Sequence, residues 1–224
     1  MFQHLAAPFR HFFGISNERK GFHLMLRTLP QTREYGLSYR LVAIVFFTVI
    51  TAVSAQYEIR FGSVVPFTMQ VFAVLLAGMV LGSRDGAASQ ALYVLLIRIG
   101  LPIAAGGAGA SALAGPTAGY LIGFIPAAFL VGYLTEQRQT RMWQRLAASI
   151  VGIAVIYLFG IPVLKARIAV SWSEAWALGG APFIAVDIAK AIFAASLSEG
   201  GRTLMLRQWQ AMQQQTHHDE HNAT

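Results

Sequence analysis

Pro182-Phe183-Ile184-Ala185-Val186-Asp187-Ile188-Ala189-Lys190-Ala191 is an apolar run that carries an acid and a base three residues apart. Charged side chains are costly at bilayer depth, where they face a bundle interior or a water-filled cavity and pair with something. Whether this stretch crosses a membrane therefore decides how both charges are read. Of the 224 residues, 55% are hydrophobic and only 12% charged, and mean hydropathy is +0.53. Soluble domains carry about a quarter charged residues. The composition is that of a polytopic membrane protein, and several spans of about 20 residues leave no room for a second domain. The chain has no cysteine, which excludes a disulfide framework and a thiolate metal site.

Outward from this run, the hydrophobic stretches fall at about 41–57, 66–82, 86–100, 117–134, 146–164 and 182–198. They predict an all-α integral membrane protein, a bundle of six transmembrane helices near the short limit for a span. The break Ser83-Arg84-Asp85-Gly86 is so short that spans two and three must form a tight helical hairpin. The chain divides into a basic N-terminal extension at 1–40, a transmembrane domain at 41–206 and a polar tail at 207–224. In the extension, Phe2, Leu5, Phe9 and Phe12 or Phe13 recur at helical spacing beside Arg10 and His11. They fit a short basic helix in the membrane interface, or a floppy basic tail. Val53-Ser54-Ala55 ends the first run like a signal-peptide cleavage site, but the charged region before it is too long and the rest of the chain is also apolar.

The net charge of +7 has a direction. With a cytoplasmic N-terminus, 12 Lys and Arg residues lie inside and three, Arg60, Lys165 and Arg167, lie outside. That asymmetry places both termini in the cytoplasm and the protein in the cell membrane, multi-pass, and explains the basic excess without nucleic acid. Tyr57, Tyr133, Trp143, Trp172 and Trp176 sit near span ends, as interfacial anchors do. Tail residues His217, His218 and His221 are read as solvated, with no metal site.

Three features then converge on the outer half of the bundle. The third connection carries Gly100, Gly106, Gly107, Gly109 and Gly115; such a segment can close over a site as a lid, although a plain flexible loop has the same composition. Gly115-Pro116-Thr117-Ala118-Gly119-Tyr120 opens the fourth span. Its free N–H groups, the Thr117 hydroxyl and the Tyr120 phenol offer hydrogen bonds, while Gly119 and Gly123 equally suit close helix packing. Third, Pro182 suits a helix start, so Asp187 and Lys190 lie roughly 7 to 12 Å down one helical face. They form an internal ion pair, a ligand site, or both. Gln56, Thr68 and Gln70 add uncharged polar groups, and Arg98 precedes the Gly-rich stretch. In span one, Thr48 and Ala52, like Thr51 and Ala55, form a small-xxx-small pattern that lets another helix approach. No phosphate-binding loop, His-Glu-x-x-His or Gly-x-Ser-x-Gly motif occurs, so nothing in the chain is equipped to hydrolyse ATP.

Val65-Pro66-Phe67-Thr68-Met69-Gln70, Leu75-Leu76-Ala77-Gly78, Gly100-Leu101-Pro102, Gly115-Pro116-Thr117-Ala118-Gly119-Tyr120-Leu121-Ile122-Gly123-Phe124 and Pro182-Phe183 with Asp187 and Lys190 together resemble the BioY family over about 41–197. BioY proteins are the biotin-binding S components of energy-coupling factor (ECF) transporters. The resemblance implies a six-helix bundle of the S-component type that captures biotin on the outer face. It also implies partners, a membrane coupling protein and two cytoplasmic ATPases, docked through a small-residue motif that reads Thr48-xxx-Ala52 here. Biotin is ligand, not cofactor, and none is expected. For its site the resemblance implies Asp187, Lys190, Tyr120, Gly119, Thr117, Gly106, Gly107 and Gln70. Asp187 would accept a ureido N–H, Lys190 would meet the ureido carbonyl or the carboxylate, and Tyr120 with the 106–109 backbone would close around the ring. Alternatives are an S component for another vitamin and a biotin transporter that works alone. An intramembrane enzyme with Asp187 as base lacks a second acid, a nucleophile or a metal cluster. A purely structural membrane protein would have Asp187 and Lys190 pair only with each other.

Overall fold

The computed structural model describes residues 36–59, 64–136 and 141–201. The expected interfacial helix, the basic extension up to residue 35 and the histidine-bearing tail lie outside them. Five helices are long and apolar enough to cross a membrane. They are α1 (Leu37–Gln56), α2 (Gln70–Arg98), α3 (Ala118–Glu136), α4 (Met142–Ile168) and a last segment, Trp172–Gly201. The last segment is composite, with α5 (Trp172–Gly179), a 3-10 turn at Ala181–Phe183 and α6 at 184–201. Apart from a two-residue antiparallel pair, β1 (Glu58–Ile59) with β2 (Phe67–Thr68), the described fold is helical.

A straight helix of the length of α2 would be roughly 44 Å long, yet the Gln70 side chain at its start hydrogen-bonds Tyr93, 23 residues on, at 2.9 Å. The chain turns back at Gly82, whose φ of 80° belongs to the region that glycine tolerates best. The two arms touch closely enough that a Cβ on Gly86 would stand 3.0 Å from the Gly78 Cα. This is the hairpin that the short break requires, its turn one residue earlier than the polar residues suggest. The turn is clasped from two sides. Ser83 donates its backbone N–H to Glu136 of α3 at 2.9 Å, and Arg40 of α1 holds Asp85 in a two-point ion pair at 2.7 and 3.0 Å. At this same end, Arg145 of α4 donates to Ser198 at 2.6 Å and to Glu199 of α6 at 3.1 Å.

Helix α3 packs between α2 and α4, and α1 lies against α2. The buried stripe of α1 is Phe47, Thr48, Thr51, Ser54 and Ala55, at helical spacing. Thr48 is 2% exposed and its hydroxyl bonds to the carbonyls of Ile44 and Ser89, both at 2.9 Å. Ala52 is partly buried against the core. The small residues of α1 thus admit the second arm of α2, and what α1 presents outward is Leu41, Val42, Val45, Val49 and Val53. Thr48 is thus covered from within the chain and Ala52 partly so, since small residues say that a helix comes close but not which one. The anchors Tyr57, Tyr133, Trp143, Trp172 and Trp176 are all exposed, as is Arg98. Helix α5 was not anticipated; a capping box starts it, with Ser171 N–H donating to Glu174 at 2.9 Å and Glu174 N–H to the Ser171 hydroxyl at 3.3 Å.

Candidate functional site

At the end of the bundle away from the Gly82 turn lies a cavity of about 270 Å³. Its floor and sides come from α3, α4 and α6, and its remaining wall from 64–71 and the Gly-rich connection. The lining is mostly apolar, with Val65, Leu121, Phe124, Ile156 and Phe183 among it, and a few polar groups converge on it. That is the usual character of a small-ligand site.

Asp187 and Lys190 both line the cavity, 2% and 7% exposed. One turn of α6 brings them together, the Lys190 ammonium donating to Asp187 Oδ1 at 2.9 Å. The second carboxylate oxygen, Oδ2, accepts the hydroxyl of Tyr157 from α4 at 2.7 Å. The ammonium has three N–H groups, and among the described residues only the one to Asp187 finds a protein acceptor. The pair therefore presents spare donors and spare carboxylate lone pairs side by side.

Of the other expected site residues, Gln70, Thr117 and Tyr120 line the cavity, while Gly119, Gly106 and Gly107 do not. Gln70 donates to Tyr93 at 2.9 Å and accepts from Thr68 at 3.0 Å, so its amide braces the wall. The Tyr120 hydroxyl already donates to the Gly179 carbonyl at 2.9 Å. Its ring lies on Gly160, where any Cβ would collide with it. Tyr120 therefore secures the α5–α6 junction and offers the cavity its ring and its oxygen lone pairs. Gly119 faces α4: a Cβ there would strike the Phe159 carbonyl and stand 2.7 Å from Val163. The packing role is the one observed, since a residue two positions from Thr117 points to another side of α3.

The connection after α2 forms a wall through Ala104, Ala105, Ala108, Ser111 and Ala112. Gly106 and Gly107 both have φ of 68°, within a turn closed by the Ala104 N–H to the Ala108 carbonyl at 2.9 Å. A Cβ at Gly107 would meet nothing within 4 Å. The left-handed backbone of Gly106 and Gly107 is a conformation that glycine adopts without strain. The wall is attached to α1 by Gln56, whose amide donates to the carbonyls of Ile103 at 3.2 Å and Ala104 at 3.3 Å.

Tyr157 is the site residue that sequence reasoning passed over. Its signal was a phenol in the middle of an apolar span, where the hydroxyl must find a partner. Phe183 is a second, stacked on Phe67 with ring centroids 4.2 Å apart. It joins the 3-10 turn of the last segment to β2.

The model of the BioY family matches residues 26–207. The biotin transporter BioY of Thermotoga maritima is 40% identical over 153 residues, covering 68% of this chain and 89% of that protein. The biotin transporter BioY of Rhizobium etli is 40% identical over 171 residues, covering 72% and 89%. A crystal structure of the S-component for biotin from an ECF-type ABC transporter superposes with a TM-score of 0.66 at 25% identity, over 74% of this chain and 90% of that one.

Proposed function

The chain belongs to the BioY family, and from that premise we infer that it is the biotin-binding membrane subunit of an ECF-type vitamin-uptake transporter, not an enzyme. Within the chain, the observation that carries the reading is the Asp187–Lys190 pair opening onto the cavity. A cyclic urea presents N–H donors beside a carbonyl acceptor, and the pair presents an acceptor beside a donor. Asp187 accepts a ureido N–H, and Lys190 donates to the carbonyl of the same ring. The charge balance favours the carbonyl over the ligand's carboxylate. The buried pair is neutral as it stands, and a second carboxylate on the same ammonium would leave a buried net negative charge. The apolar lining suits the thiophane ring and chain, with Thr117 and the Tyr120 oxygen at the rim of the polar part.

The arms of α2 count as two crossings, which with α1, α3, α4 and the last segment makes six. The Lys and Arg asymmetry supports cytoplasmic termini, which puts the cavity on the outer side of the cell membrane and the Gly82 turn inside. Biotin enters from outside, and energy comes from partners, a membrane coupling protein and two cytoplasmic ATPases, because this chain has no nucleotide-binding motif. A partner helix that approaches α1 meets Val45, Val49 and Val53 rather than Thr48.

Calorimetric titration of the purified protein tests the reading. Biotin is expected to bind, and Asp187→Asn to weaken it about a hundredfold, the upper range for a hydrogen bond to a charged group. Failure of the unaltered protein to retain biotin at micromolar levels would overturn it in favour of another vitamin.

A further inference from the structure

We propose that Tyr157 is a positioning residue for biotin recognition: its hydroxyl holds the Asp187 carboxylate in the orientation that accepts a ureido N–H. The inference rests on the assignment of Asp187 to the ureido group. Among the described residues, Asp187 has two hydrogen-bond donors, Lys190 on Oδ1 at 2.9 Å and Tyr157 on Oδ2 at 2.7 Å. They do different things. Lys190 stands on the same helix, one turn away, and moves with Asp187, so it leaves the carboxylate unreferenced to the rest of the site. Tyr157 stands on α4 and ties the carboxylate to a second helix that lines the cavity.

The tie is itself braced. Tyr157 is 9% exposed, and its ring meets Trp176 of α5 edge to face, centroids 6.3 Å apart and planes at 87°. A tyrosine with a fixed ring holds its hydroxyl oxygen in one place and has a single proton to donate. With one donor on each oxygen, two of the roughly four lone-pair sites of the carboxylate remain. Without the hydroxyl, the buried Oδ2 loses its donor and the carboxylate turns toward the nearest substitute, which is the second face of the Lys190 ammonium. The spare lone pairs and the spare ammonium N–H groups are then consumed by each other.

The test is a comparison of ligands on Tyr157→Phe, which keeps the ring on Trp176 and removes one oxygen. Biotin and its two mono-N-methyl ureido analogues are titrated against the unaltered protein and the variant. Biotin affinity is expected to fall about tenfold, a typical loss for a hydrogen bond to a charged group. The analogue that lacks the N–H accepted by Asp187 should bind both proteins alike, while the other analogue loses as much as biotin. Equal loss for all three ligands, or no loss for biotin, overturns the proposal. Where the variant yields no folded protein, 3-fluorotyrosine at position 157 keeps the hydroxyl and alters its donor strength. The same ligand ratio is then read, and an unchanged ratio overturns the proposal. Failure of the unaltered protein to bind biotin at all is a separate result and bears on the proposed function itself.

Discussion

Both ends of this bundle bury charge, and they do so in opposite ways. At the Gly82 turn, Arg40 reaches Asp85 from another helix, and Arg145 reaches Ser198 and Glu199 from another helix. Each of these contacts fastens two elements together. At the cavity end, Asp187 and Lys190 belong to one helix, three residues apart, so their ion pair fastens nothing to anything. One bond from Tyr157 ties the pair to α4, but the pair faces an opening and has bonding capacity left over. Buried charge by itself therefore does not mark a binding site in a membrane bundle. What marks it is whether the bonding is used up between elements or left in part open toward a space.

The sharpest way to break this contrast is to erase the open pair. Replacing Asp187 by Leu and Lys190 by Met together should remove measurable biotin binding while leaving the thermal unfolding temperature in detergent unchanged or raised, because apolar replacement of a buried pair is often neutral or stabilising. Retained binding would move the site elsewhere. The reciprocal change is Arg145→Ala, which should lower stability by about 2 kcal/mol by removing the bonds of a buried guanidinium to Ser198 and to the partly exposed Glu199 and leave the biotin dissociation constant as it was. A shift in affinity there would mean that the two ends are energetically one. Next comes Gly179→Ala, which drives a methyl group into the Tyr120 hydroxyl and Leu164. A cost of about 1–3 kcal/mol is expected from overpacking, with weaker binding as the junction leading to Asp187 shifts, and denaturant unfolding with calorimetry reads both. The smallest effect is Gly107→Ala: no atom lies in the way, so only the left-handed backbone penalty of about 1 kcal/mol applies. A loss of affinity much beyond fivefold would restore the idea that this glycine makes room for the ligand.

The legible parts of the molecule were those where residue type conflicts with surroundings. Asp187 and Lys190 stand out because charge is costly in an apolar run, and their contact follows from helical spacing alone. The hairpin followed from the shortness of Ser83 to Gly86, and α3, expected over 117–134, runs Ala118–Glu136. Phase and partner were less legible. Gly119 suits helix packing and the site equally in sequence, and only the phase of 100° per residue turns it toward α4. Thr48 advertises a close approach, but its partner Ser89 lies 41 residues away, a distance that composition does not encode. Tyr157 was hidden between Ile156 and Leu158, because an aromatic residue in a hydrophobic run reads as more hydrophobicity unless its hydroxyl is counted. The spacing Ser171 to Glu174 held the capping signature of α5 in plain view.

The bond from Gln56 to Ile103 and Ala104 has a mechanical meaning. Helix α1 is the span least enclosed by the rest of the chain, with 17% of its apolar window buried. Through one terminal amide it also grips the wall over the cavity. Helix and wall are thus in series, like a door leaf on its post. A tilt of α1 must either carry the 104–112 segment with it or let go of it, and in both cases the enclosure of the cavity changes.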